Sequence, residues 1–234
     1  MTHLQGRERA AYVQRMFDRI ARRYDLMNRL MTFGQDQGWR RYVVKQAEIP
    51  RGGRLLDVAT GTGDIMFEAL KKDSEVCAVG ADFARGMMRV GQHRPMGDRV
   101  QWTQADALAL PFADQSFDAV TSGYLMRNVI DVSGAFKEQM RVIKPGGKIV
   151  CLDTSPPPRN LLRLFILIHL KYIIPLLGQI VSGNPDAYKY LPESTQAFKT
   201  PDELADIMRS VGLKDVRFKR FMFGTMAVHV GTCV

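Results

Sequence analysis

Cysteine is scarce in this chain: Cys77, Cys151 and Cys233 are the whole supply. They are widely spaced, with no CxxC pair and no Cys/His ligand spacing. That argues against a disulfide scaffold and the usual zinc frameworks, and predicts reduced thiols and no metal. The N-terminal region lacks an apolar signal core, and the chain lacks the uninterrupted run of about 18 uncharged residues that a spanning helix needs. The expected localisation is therefore cytoplasmic. Internal repeats and low-complexity tracts are also missing. No nucleic-acid-binding module appears, and aromatics do not alternate with basic residues in a binding pattern, so nucleic acid is not an expected partner. Acidic residues are in deficit. The net charge of +9 fits an anionic membrane face or an anionic substrate as well as an ordinary solvated surface. The arginines crowd toward the N-terminus, as Arg7, Arg9, Arg15, Arg19, Arg22, Arg23, Arg29, Arg40 and Arg41.

What is present is enough for a sizeable core: 46% of the 234 residues are hydrophobic. The length suits one α/β domain with an insertion. Val13, Met16, Phe17, Ile20, Tyr24, Met27 and Met31 form an amphipathic helical stripe over 7–31, with a break expected near Tyr24. A second helix is predicted over 37–47, closed by Pro50. Strands are predicted at 54–59, 76–81, 100–103, 117–122 and 148–152, alternating with helices. Continuous apolar strands in that arrangement predict a parallel sheet covered on both faces. Pro156, Pro157 and Pro158 interrupt the series and lead into a greasy segment reaching Val181. Thr200, Pro201 and Glu203 carry a helix-start signature. Two closing strands, 216–221 and 226–232, suggest an antiparallel edge. The chain thus divides into a helical cap (1–50), a core (51–155), an apolar helical insertion (156–200) and a terminal helix with a strand pair (201–234).

The densest signal is Leu55-Leu56-Asp57-Val58-Ala59-Thr60-Gly61-Thr62-Gly63-Asp64. An apolar strand feeds a small-residue turn and then a helix. Glycines there let a ligand lie against backbone N–H groups. A dinucleotide fingerprint would have a third glycine, but Met66 stands at that position and is expected to obstruct close helix–strand packing. The loop instead resembles the first motif of class I S-adenosylmethionine-dependent methyltransferases. Ligands of open parallel sheets bind beyond the carboxyl ends of the strands. Asp57, Asp82 and Asp106 fall there, and acidic groups suit a sulfonium cation. If S-adenosylmethionine is the ligand, Asp82 accepts the ribose hydroxyls, and Asp106 with the Ala107 backbone meets the adenine amino edge. The Thr60–Gly63 turn meets the methionine moiety, and Asp57 orients that turn or reaches the amino group through water.

A more specific resemblance covers nearly the whole chain. Tyr24-Asp25-Leu26-Met27-Asn28, Thr32-Phe33-Gly34 and Trp39 are similar to one signature of the ubiquinone/menaquinone biosynthesis C-methyltransferase family. Arg141-Val142-Ile143-Lys144-Pro145-Gly146-Gly147, ending in Asp153-Thr154-Ser155, is similar to the other. Leu110-Pro111-Phe112, Arg127-Asn128-Val129 and Tyr188–Ser194 support them. The chain departs from that pattern at Thr32 (usually Ser), Asp36 (usually His), Gly123 (often Ser at the cofactor), Leu125 (usually Gly) and Asp153 (usually Glu). The resemblance implies a class I methyltransferase Rossmann-like fold, with a mostly parallel seven-stranded sheet and an antiparallel C-terminal edge. It implies S-adenosyl-L-methionine as cofactor and a lipophilic prenylated quinol as substrate. The expected reaction is C-methylation of demethylmenaquinol to menaquinol. A ubiquinone-pathway benzoquinol or another lipophilic acceptor is the alternative. In this reading Arg127 stabilises a phenolate, Asn128 holds the second oxygen, and Tyr24 and Asp25 close over the site. His169 and His229 are further base candidates. The segment 161–177 reads as a buried helix, as a wall for an isoprenoid tail, or as a surface touching the inner face of the cytoplasmic membrane. A homodimer is compatible with the sequence. Retention of Gly61, Gly63, Asp82 and Arg127 argues against a scaffold protein that merely keeps the fold.

Overall fold

The computed structural model describes residues 6–158, 160–182 and 185–234. Arg159 lies outside the described residues. Seven strands form one sheet: β1 (Arg54–Val58), β2 (Cys77–Asp82), β3 (Val100–Gln104), β4 (Phe117–Gly123), β5 (Ile143–Thr154), β6 (Lys214–Phe221) and β7 (Met226–Thr232). The order is β3-β2-β1-β4-β5-β7-β6. The pairs among β1 to β5 are parallel, and β7 runs antiparallel between β5 and the edge strand β6. The expected mostly parallel seven-stranded sheet is present. Leu55, Leu56, Val79, Ala119, Val120, Ile149 and Val150 of its central strands are buried, as a doubly covered sheet requires.

Helices α3 (Asp64–Lys72), α4 (Arg85–Gln92), α5 (Val132–Val142) and α9 (Pro201–Ser210) follow strands or precede them in the expected places. At α9 the Thr200 side chain accepts from the Glu203 N–H, and the Glu203 side chain reaches back. This reciprocal cap contributes about 1 kcal/mol. The cap of the molecule is α1 (Gly6–Met31) with α2 (Asp36–Gln46). The expected break near Tyr24 does not occur. After Gly6 the helix contains neither proline nor glycine, so nothing interrupts its hydrogen-bond ladder. The insertion is helical: α6 (Arg163–Ile168), a π-turn (His169–Ile173), α7 (Ile174–Ser182) and α8 (Pro185–Gln196). Ile174, Tyr188, Tyr190 and Leu191 from it join Val13, Met16, Ile20 and Met27 of α1 in one cluster. The insertion is thus packed onto the cap.

Met66 does not obstruct the helix–strand contact. It is fully buried, and Gly80 of β2 makes room for it. A Cβ at Gly80 would sit 2.5 Å from the Met66 Cε and 2.9 Å from the Thr60 Cγ2. The space that a third loop glycine would provide comes from the neighbouring strand.

Candidate active site

The strand ends converge. Val58 of β1 lies beside Ala81 of β2 and Ser122 of β4, and Asp82 lies beside Gln104 of β3. The segments leaving all four strands therefore emerge at one edge, where the strand order reverses between β1 and β4. A cavity opens there, lined by Ala59, Gly61, Asp82, Asp106, Ala107 and Gly123 together with Tyr24, Tyr124 and Asn128.

The turn after β1 is built for close approach. Ala59, Gly61 and Gly63 all have left-handed φ, of 57, 58 and 87°. A Cβ at Gly63 would fall 2.7 Å from the Trp102 ring. Asp57 is buried behind this turn and accepts from the hydroxyls of Thr60 at 2.8 Å and Thr121 at 2.7 Å. Burial pushes its carboxyl up to about 7. Its geometry is that of a loop-orienting group. Asp82 accepts the Gly61 N–H at 2.7 Å and the Ala84 N–H at 2.7 Å, one on each oxygen. Burial pushes this carboxyl up to about 6. Each oxygen keeps a further lone pair for a diol at the cavity it lines. Asp106 accepts the Leu108 N–H at 2.9 Å, which fixes its turn. So Gly61, Asp82, Asp106, Ala107 and Gly123 line the cavity, while Asp57, Thr60, Thr62 and Gly63 shape its loop from behind.

Among the described residues of this lining, the charged ones are Asp82 and Asp106. Val58, Phe83, Met87, Leu108 and Leu125 supply flat apolar walls. Two carboxylates with no cation suit a nucleoside bearing a positive charge far better than a pyrophosphate. The donor set fits S-adenosylmethionine.

A second cavity lies against the insertion. Met31, Phe33, Phe165, Leu170 and Met222 make it greasy, and Arg127, His169, Asn28 and Thr154 add polar points. Arg127 is buried. Its Nη1 lies 3.1 Å from the Asp153 Oδ1, and its backbone N–H donates to the Asp153 Oδ2 at 3.2 Å. Its guanidinium stands 4.9 Å over the Tyr124 ring, and its Nε is buried without a partner among the described residues. Burial outweighs the Arg127 pairing and pushes the Asp153 carboxyl up.

Asn128, expected to hold the second quinol oxygen, and Asp25, expected to close over the site, both have partners within the protein. The Asn128 amide donates to the Tyr124 carbonyl at 2.8 Å and accepts from the Tyr190 hydroxyl at 3.0 Å. Both ends of that amide are used within the protein, and it lines the first cavity. Asp25 accepts from the Thr62 hydroxyl at 2.7 Å and pairs with Arg94 at 3.0 Å. It latches α1 to the glycine turn. Burial, followed by the neighbouring Asp64, pushes its carboxyl up. Tyr24 lines the first cavity and interacts with Asn28, and burial pushes its phenol up.

Sequence reasoning did not single out Arg40, Asp64, Arg94 or Tyr124. Arg40 pairs with Asp36 and, at 2.9 Å, with Asp64; Arg94 pairs with Asp64 at 2.7 Å. Asp36, at the position where the family usually has His, is thus the buried end of a charge chain that reaches Asp25. The i, i+4 spacing of Asp36 and Arg40 carried that signal. His229 is a core residue: its Nε2 lies 2.9 Å from the Pro201 carbonyl, and burial pushes it down to about 4. His169 lines the second cavity beside Phe33, with ring centroids 6.0 Å apart. Phe33, Leu162, Phe165 and Phe223 line the same cavity while remaining strongly exposed. No helix among the described residues is long and apolar enough to cross a membrane.

The profile of the ubiE/COQ5 methyltransferase family matches residues 4–233. The ubiquinone/menaquinone biosynthesis C-methyltransferase UbiE of Desulfotalea psychrophila is 48% identical, over 94% of this chain and 89% of that protein. The demethylmenaquinone methyltransferase of Roseiflexus castenholzii is 45% identical, over 96% and 94%. Among solved structures, a possible histamine N-methyltransferase from Thermotoga maritima, described as SAM-dependent, superposes with a TM-score of 0.63 at 20% identity, covering 94% of this chain and 99% of that one.

Proposed function

This chain belongs to the ubiE/COQ5 methyltransferase family, and from that premise we propose that it methylates a ring carbon of a prenylated demethylmenaquinol to give menaquinol. It is an S-adenosylmethionine-dependent C-methyltransferase of quinone biosynthesis. The observation that carries the acceptor assignment is the pair of cavities. One is acidic and built around a glycine turn; the other is greasy, with a single buried guanidinium in its wall.

S-adenosylmethionine supplies an electrophilic methyl group when bound. Asp82 accepts its ribose hydroxyls, and Asp106 with the Ala107 backbone meets its adenine edge. Gly61 and Gly123 leave room beside the methionine moiety, and Asp57, Thr60, Thr62 and Gly63 hold the turn. The second cavity takes the quinol, with its tail along the insertion. Arg127 places positive charge at the quinol oxygen and favours the phenolate. That ionisation makes the ortho ring carbon nucleophilic. The ring carbon would bond the methyl as the sulfur–methyl bond breaks, leaving neutral S-adenosylhomocysteine, and the ring proton would then pass to water, restoring the aromatic phenolate. The cavity walls exclude bulk water and hold the two partners in register.

The exposed aromatic rim of the second cavity supports a further part of the reading. Phe33, Phe165 and Phe223 come from three remote segments, with Arg163 and Lys171 exposed nearby in sequence. A cytoplasmic protein with such a rim collects a lipid-tailed quinol at the inner face of the membrane. The test is transfer of a labelled methyl group from S-adenosylmethionine to short-tailed demethylmenaquinol and to the matching benzoquinol. Product on the naphthoquinol is expected; transfer to neither ring overturns the assignment.

A further inference from the structure

Two cavities that exchange a methyl group must meet somewhere, and among the described residues Tyr124 is common to both linings. It directly follows β4 and is held on several sides. Its N–H donates to the Leu152 carbonyl of β5 at 2.7 Å. Its carbonyl accepts from the Asn128 amide at 2.8 Å. The Arg127 guanidinium stands 4.9 Å over its ring. The backbone is left-handed, with φ of 60°, a conformation that disfavours an aromatic side chain and clusters at functional sites. Glycine would adopt it freely, yet the position carries a bulky aromatic residue that lines both cavities.

We propose that Tyr124 is the positioning residue for the acceptor: its ring is the partition that fixes the quinol ring against the methyl donor, and with it the choice between naphthoquinol and benzoquinol. The inference rests on the quinol reading above. A flat side chain pinned under a guanidinium offers one surface for one ring geometry. A smaller side chain joins the two cavities and lets acceptor rings settle in several registers. The burial of Tyr124 pushes its phenol up, well above the usual tyrosine range, so the hydroxyl stays protonated and the ring acts as a wall.

Wild-type turnover of the two quinols tests the acceptor class. The variants, assayed on both quinols, test Tyr124. Tyr124→Phe keeps the ring and should retain kcat/KM within about threefold. Tyr124→Gly suits the left-handed backbone, so its folding is not compromised by strain. It should lose about 100-fold in kcat/KM, the scale of an acceptor held an ångström out of place, a far larger change than in cofactor Kd by calorimetry. Its ratio of kcat/KM between the two rings should move toward unity. A Tyr124→Gly protein that keeps the wild-type ring ratio overturns the proposal, as does equal loss in Tyr124→Phe. Loss confined to cofactor Kd would also overturn it, placing Tyr124 in the cofactor site.

Discussion

Replacing Arg127 by alanine does two things that must be separated. It strips a cation from the quinol oxygen, and it leaves Asp153 buried without its counter-ion. The first loss resembles removal of an oxyanion donor, about 2–4 kcal/mol, or roughly 30- to 1,000-fold in kcat/KM. The second is of similar size: breaking a buried pair from one side costs about 3–5 kcal/mol of stability. A simple activity loss would therefore decide nothing. The double variant Arg127→Met with Asp153→Asn removes both charges, and the amide oxygen still accepts one of the two backbone N–H groups, of residues 127 and 154, that Asp153 takes on separate oxygens. It should be more stable than Arg127→Ala in urea titrations and regain none of the activity. Arg127→Lys keeps the charge but loses the fork, so it should fall between wild type and Arg127→Ala in turnover. Stability against pH adds an independent readout. Burial already raises the Asp153 carboxyl above its unfolded value of about 4, and loss of Arg127 raises it further. A carboxyl raised on folding stabilises the protonated state at low pH, and that contribution is lost as pH rises through the folded value. Arg127→Ala should thus be closest to wild type in stability under acid conditions and furthest from it under alkaline ones. Its activity optimum should also move to higher pH, because the quinol must ionise unaided. The reasoning is refuted if the double variant recovers turnover along with stability. It is equally refuted if Arg127→Ala methylates quinol at the wild-type rate while binding cofactor poorly.

Asp82→Ala should weaken cofactor binding by about 2 kcal/mol, the scale of a charge-assisted hydrogen bond; an unchanged calorimetric Kd would sink the ribose assignment. In the wild type, cofactor affinity should decline as pH falls through about 6, where the Asp82 carboxyl takes up its proton. Asp57 is raised to about 7, so its stabilising share is full below about 4 and lost as pH rises through 7; Asp57→Asn should flatten the fall of ligand-free Tm over that window. Asp25→Ala frees the Thr62 hydroxyl and leaves Arg94 to Asp64, and hydrogen exchange over 6–31 should accelerate together with a weaker cofactor Kd; protection unchanged there would mean that the latch is not what holds α1. Changing Phe33, Phe165 and Phe223 to Ser should reduce co-sedimentation with anionic vesicles at low salt; a wild type that ignores such vesicles refutes membrane docking.

Much of the frame was readable because its signals are local or periodic. The strand at 54–58, the Gly61–Gly63 turn and the Thr200 cap each rest on a few adjacent residues. Asp57, Asp82 and Asp106 fell at strand ends because strand length and alternation fix where a parallel sheet stops. What escaped depends on chain segments meeting. Nothing in the sequence places Asp25 beside Thr62, or turns both ends of Asn128 inward toward Tyr124 and Tyr190. The α1 helix runs unbroken through Tyr24 because no helix-breaking residue stands there. The rim of Phe33, Phe165 and Phe223 joins three segments that only the packing of the insertion onto the cap brings to one opening.

The Met66–Gly80 contact makes the two positions a lock and its recess, one on α3 and one on β2. Neither can change alone at low cost. A methyl group at Gly80 would intrude on a side chain that is already fully enclosed. Trimming Met66 to glycine would leave an empty space behind the turn that carries the ligand. Exchanging both together roughly conserves the volume between α3 and β2, although a side chain at position 80 would still press on Thr60. What the third loop position can carry is therefore set by a strand that the loop motif does not mention.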